Sequence, residues 1–196
     1  MASALFIDGA YLMKASYPHH IDLVKFRNMV EKDAGEKLDE AYYFSADEDP
    51  PKQAKFTSFL QYPPPSGPGF KVKMYWLSQR ALYWPKALGG GPVVHPTQKD
   101  PTTGQPVQFE LTTQKAVDVG LAYHMIRSFT KRKWNRLYLA AGDADFHEPI
   151  QALVEHENVD LVLIGSPNTI STQLRENERK FLDISAEPLL SQVKKI

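Results

Sequence analysis

The sequence predicts an α/β fold: an open, mainly parallel, doubly wound sheet of about five to six strands with helices on both faces, interrupted by a Pro/Gly-rich insert. Three observations predict it. Short, nearly continuous apolar runs bounded by turn signals occur at residues 4–7, 137–141 and 159–164, the pattern of parallel strands covered on both faces. Helical patterns lie between the strand-like runs, and such alternation implies right-handed crossovers. With 196 residues, 42% of them apolar, the chain can bury one sizeable core, and residues 1–196 read as one domain.

Taken in order, residues 4–7 open the sheet as a first strand; the N-terminal stretch MASALFIDGAYLMK lacks the basic lead of a signal peptide. A helical pattern follows at roughly residues 23–33. Residues 41–45 and 70–77 are rich in Tyr and Phe and read as strands nearer the sheet edge, with a helical pattern between them at 52–62. Residues 62–107 contain YPPPSGPG, WPKALGGGP and HPTQKDPTTGQP, and proline and glycine at that density forbid long helices. Residues 78–109 are therefore expected to leave the sheet, either as a hairpin beside its active edge or as a plain flexible surface loop. Helical patterns at 112–130 and 146–157 bracket the strand at 137–141, and a last short strand is expected at 181–184.

The totals exclude several function classes. Lys plus Arg and Asp plus Glu both number 23, so no global field draws the chain to nucleic acid or membrane, and a phosphate partner must be held locally. The absence of cysteine excludes disulfides and thiolate zinc sites and suits a reducing, cytoplasmic setting. No apolar run reaches membrane-spanning length.

Four aspartates carry the candidate chemistry. Asp8 ends the first strand, where an open parallel sheet presents its ligand site, and Gly9 after it is expected to let a substrate backbone approach. Asp8 could equally be a helix cap. In GDADF, Asp143 is expected to project from a strand end, with no structural duty of its own, while Asp145 sits where a helix N-cap is expected. Asp118 lies on a helix whose neighbours Val117, Leu121, Ala122 and Met125 are apolar, so its charge needs a metal or a partner such as Lys115. Two carboxylates about 4 Å apart repel by roughly 4 kcal/mol at an effective dielectric near 20. Several acids at one edge call for a cation, and oxygen-only ligands favour Mg²⁺ or Mn²⁺ over zinc.

Three motifs in order, FIDGAYL, QKAVDVGLAYHMI and LYLAAGDADFHEPI, followed by VDLVLIGSPNTISTQLRENERKFLDIS, make nearly the whole chain resemble the NYN domain (LabA-like) nucleases of the PIN-like superfamily. The resemblance implies a PIN-like sheet and metal-dependent ribonuclease chemistry, with Asp8, Asp118 and Asp143 as metal ligands and Asp145 as a further family acid. Three positions depart from the pattern. Tyr11 stands where asparagine is usual, and a tyrosine ring can stack on a base. His124 stands where a further aspartate is common, and imidazole can ligate Mn²⁺. Ala141 replaces the serine that usually precedes the Gly-Asp pair.

Substrate contacts are expected from Tyr11, Lys14, Lys115 and His124, with Tyr75, Trp76, Tyr83 and Trp84 as stacking candidates or plain packing. The basic run Arg127, Lys131, Arg132, Lys133 and Arg136 reads more simply as helix-end and loop charge at the strand's entry end. The aromatic-rich insert exposes apolar surface on which a homodimer could form. Two rivals stand beside a nuclease acting on nucleic acid: a non-catalytic RNA-binding or adaptor module, and a haloacid-dehalogenase-like phosphatase. The phosphatase fails because Ala10 occupies the position of its general acid.

Overall fold

A computed structural model of the chain describes residues 2–113 and 116–195. Strand β1 (Ser3–Asp8) is buried at every position, which requires cover on both faces of the sheet. It runs directly into α1 (Gly9–Ser16), a short helix that the apolar pattern did not reveal. Next comes α2 (Leu23–Ala34), capped by Asp22 and stopped by Gly35 at φ 72, the left-handed geometry that glycine adopts without steric cost. Strand β2 (Glu40–Asp47), α3 (Ala54–Gln61) and β3 (Lys71–Trp76) complete the first half.

The insert then forms two antiparallel ladders, β4 (Ser78–Ala81) with β7 (Glu110–Thr113), and β5 (Val94–Lys99) with β6 (Pro106–Gln108). The excursion thus reaches Thr113 instead of 109, and the helix expected from 112 begins at Val117. The physical reason is visible at Ala116, whose φ of 70 breaks the backbone before the helix. Lys115, a predicted substrate contact and partner for Asp118, lies outside the described residues.

The second half is α4 (Val117–Arg132), β8 (Arg136–Ala140), α5 (His147–Glu157), β9 (Asp160–Gly165), α6 (Thr172–Arg175), β10 (Lys180–Asp183) and α7 (Leu189–Val193). All six strands of the main sheet run parallel in the order β10-β9-β8-β1-β2-β3. Strand order reverses between β1 and β8, so the crevice beyond their carboxyl ends is the topological switch point where open α/β sheets bind ligands. Helix α4 packs on β1 and β2. As a crossover helix it returns against the strand direction, which brings its N-terminus to that same edge. Among the described residues, no helix is long and apolar enough to cross a membrane.

Candidate active site

Asp8 closes β1 and caps α1. One oxygen, Oδ1, accepts from the amides of Ala10 (2.9 Å) and Tyr11 (3.2 Å), and Oδ2 has no partner among the described residues. Burial pushes the Asp8 carboxyl up, against those two hydrogen bonds, and the negative charge of Asp143 adds to the rise. The room beside Gly9 is not open to a substrate backbone: a Cβ there would meet the Tyr43 ring and hydroxyl. Burial, then the Asp8 charge, push that phenol up to about 12. Tyr43 was not a predicted site residue, because its place beside Asp8 follows from the pairing of β2 with β1, which a single sequence does not print.

Beyond β8 the chain makes one turn of 3-10 helix, Ala144–Phe146. Asp143, not Asp145, is its cap: Asp143 Oδ1 accepts from the Asp145 amide at 3.1 Å. The expectation that Asp143 lacks a structural duty is therefore corrected, because the turn starts two residues earlier than the helical pattern suggested. Both side chains are exposed. Asp118 sits in the first turn of α4, half-buried between the core stripe of Val117, Leu121 and Met125 and an outward face. Its carboxyl is pushed up by burial and then by the negative charges of Asp8, Asp143 and Asp145. Three separate stretches of chain thus bring four carboxylates into one electrostatic field.

All four donors are hard carboxylate oxygens, and among the described residues no cation offsets the charge of Asp8 or Asp118. That chemistry fits Mg²⁺ or Mn²⁺. Among the described residues, no three His, Asp or Glu side chains converge closely enough to cage an ion by themselves. Magnesium commonly takes only one or two carboxylates, keeping waters and substrate phosphates for its other positions. The residues fit an ion shared in that way.

The other predicted contacts are placed differently. Tyr11 is 7% exposed, wedged where a Cβ on Gly142 or Gly165 would stand, with the Thr169 hydroxyl 3.5 Å from its own. Base stacking by Tyr11 is corrected on that ground, since its ring faces are already covered by protein. His124 is six residues beyond Asp118, a spacing that turns it to another side of the helix. Its ring packs tilted against Tyr42 and Phe44, with centroids 5.7 and 5.8 Å away. Burial, Lys73 and Arg127 hold it below the usual imidazole range. None of the four aspartates is among the groups that shift it. Lys14 is exposed at the end of α1, about 9 Å of helix rise from Asp8. Tyr75 packs against Gly120 of α4, while Trp76, Tyr83 and Trp84 are exposed. His147 Nδ1 faces the Gln173 carbonyl at 3.1 Å, and Glu148 faces solvent.

The basic run divides. Arg132 pairs with Glu40 (3.6 Å), Lys133 with Glu157 (3.6 Å) and Arg136 with Asp160 (3.7 Å), all at the entry end of the strands. Arg127 and Lys131 make no ion pair among the described residues.

Comparison with known proteins agrees with this architecture. The chain matches a crystal structure of a protein of unknown function from Vibrio parahaemolyticus with a TM-score of 0.63 and 16% identity, covering 99% of this chain and 96% of the other. At that identity the likeness speaks for the fold. No curated protein matches the sequence. The NYN domain family matches residues 2–185. With that span covering nearly the whole chain and the PIN-like sheet in place, the protein belongs to the NYN domain family of the PIN-like nuclease superfamily.

Proposed function

We propose that this protein is a divalent-metal-dependent ribonuclease that hydrolyses phosphodiester bonds at the crevice between β1 and β8. The observation that carries the reading is the convergence on Asp118, at the carboxyl edge of the sheet, of the charges of Asp8, Asp143 and Asp145, which add to burial in pushing its carboxyl up with no offsetting cation among the described residues. Asp8, Asp118 and Asp143 would hold Mg²⁺ or Mn²⁺. When bound, such an ion lowers the pKa of a water and neutralises charge on the departing oxygen. Asp8 is fixed in place by two amides on one oxygen, which leaves the other for binding without a change of rotamer. Asp143 is fixed in the same manner by the Asp145 amide. Asp145, exposed beside them, would help to orient water or a second ion.

A second reading, a non-catalytic RNA-binding module, draws support from the lack of a ready three-carboxylate cage among the described residues. One experiment separates the two: end-labelled single-stranded RNA incubated with the protein in Mn²⁺ and, in parallel, in EDTA. We expect cutting in Mn²⁺ only. RNA that binds yet stays intact in Mn²⁺ would replace the nuclease reading with the binding module.

A further inference from the structure

Helix α4 has a second apolar face that the fold does not use. Val117, Leu121, Met125 and Phe129 are buried in the core, but Val119, Tyr123 and Ile126 are 75%, 56% and 39% exposed. Their i, i+4, i+7 spacing puts them on one outward stripe. That stripe floors a groove of about 700 Å³ with Asp118 and Asp145 at one end and Arg127 and Lys131 farther along. On the other flank of α4 lies a second cavity of about 510 Å³, lined by Lys71, Lys73, Arg127, Lys131 and Arg132 against one acid, Glu40. Arg127 and Lys131 border both. Since Lys71 and Arg132 already serve Glu40, the surplus charge rests on Lys73, Arg127 and Lys131. Arg127 also lies over the Tyr123 ring, 5.9 Å from its centroid, and donates to its hydroxyl at 3.4 Å.

We propose that the outer face of α4 is a track for an unpaired nucleic-acid strand leaving the carboxylate edge, with a base stacked on Tyr123 and phosphates on Arg127 and Lys131. The proposal rests on the nuclease reading for its starting point and adds the path of the strand and the residues that hold it away from the carboxylates. From Asp118 to Lys131 the helix rises about 20 Å, room for a short run of nucleotides. An exposed aromatic beside cations that make no ion pair among the described residues is a combination that binds single strands without base reading: stacking needs a free base face, and the phosphates need charge. A duplex offers no free base face to Tyr123. The cationic surplus on the far flank favours a polyanion over a second copy of this chain as occupant.

The test uses fluorescence anisotropy of an end-labelled oligouridine RNA with the full chain in EDTA, across a salt series, beside an RNA duplex of the same length. We expect single-strand binding that exceeds duplex binding. Y123A should weaken it by roughly ten-fold, as loss of one stacked base does. The double variant R127Q/K131Q should flatten the log affinity against log salt slope by about 1.4, at roughly 0.7 per lost phosphate contact. All three side chains are exposed, and thermal melts verify that the variants fold. Unchanged affinity and slope in both variants would overturn the track, as would absence of single-strand binding by the parent protein. A change confined to self-association, read by light scattering, would overturn it in favour of a second copy. Cleavage in Mn²⁺ is scored separately: variants that lose binding while the parent protein does not cut would leave the track standing and sink the nuclease.

Discussion

Asp143 has two duties that its two oxygens divide between them. Oδ1 accepts the Asp145 amide and starts the turn, while the second oxygen is exposed and available to a cation. Asparagine keeps an acceptor oxygen for the amide and deletes the charge; alanine deletes both. Asp143→Asn is therefore expected to lower Mn²⁺-dependent cleavage by at least about 100-fold, since even outer partners of metal ligands are worth about 10–100-fold. Its unfolding free energy should stay within about 0.5 kcal/mol of the parent. Asp143→Ala should lose the same activity and in addition about 1 kcal/mol of capping energy, a drop of about 2–4 °C in Tm. Cleavage rates and thermal melts of the two variants check this, and cutting at the parent rate by Asp143→Asn would remove Asp143 from the ion's ligands. Asp8 combines the same duties, with two amides on one oxygen. Its capping role was an open alternative in the sequence, whereas that of Asp143 was not, because the apolar pattern places the helix start two residues too late.

At the level of elements, the carboxyl edge is held together by Tyr11, which reaches from α1 under the loops that follow β8 and β9. A Cβ on Gly165 would run into its hydroxyl, and one on Gly142 into its ring. Gly165→Ala should therefore cost about 1–3 kcal/mol by overpacking. Tyr11→Phe should recover part of that loss by removing the nearest atom, a coupling that a double-mutant cycle in urea reads directly. Additive costs would mean that the wedge does not join these elements. The same contact explains what the sequence conceals. All six sheet strands were legible, because each is a short apolar or aromatic run bounded by turn residues, and the buried β1 shows why such a run lacks alternation. Helix α1 was not legible: eight residues beginning at glycine are too few to establish a helical period. The start of α4 was misplaced because Thr112 and Thr113 continue a polar-apolar pattern that gave no sign of their pairing with β4. Tyr11, read as a base-stacking residue, proved to be a packing residue, since its partners Gly142 and Gly165 lie more than a hundred residues away along the chain.

Across the whole molecule, charge is sorted by end. At the entry end of the sheet, burial tends to raise Glu40, but Lys71 and Ser128 outweigh it and hold the carboxyl below its ordinary range; Lys37 and Arg27 do the same for Glu31. A lowered folded pKa contributes stability that is present above the unfolded value and lost as pH falls through the folded one. At the carboxyl end, Asp8 and Asp118 are pushed up by burial and by neighbouring negative charge. Their ionised forms are less favourable folded than unfolded, so at neutral pH they subtract stability, and the loss is relieved as pH falls through their raised values. Without metal, acidification from pH 7 should first raise Tm slightly as the carboxyl end protonates, then lower it steeply as the entry-end pairs fail. Asp118→Asn removes one member of the repelling set at little change in volume. In EDTA at pH 7 it should melt above the parent, by about 2–4 °C for each 1 kcal/mol released, and its early rise with acidification should shrink. Millimolar Mn²⁺ should reverse the ranking, because ligand binding stabilises the folded state in proportion to the logarithm of metal over Kd, and the variant binds it less tightly. Calorimetry of both proteins, with and without Mn²⁺, reads all of these outcomes. If Asp118→Asn melts at or below the parent in EDTA, the four carboxylates do not burden one another, and the charge argument for a cation at this edge fails with it.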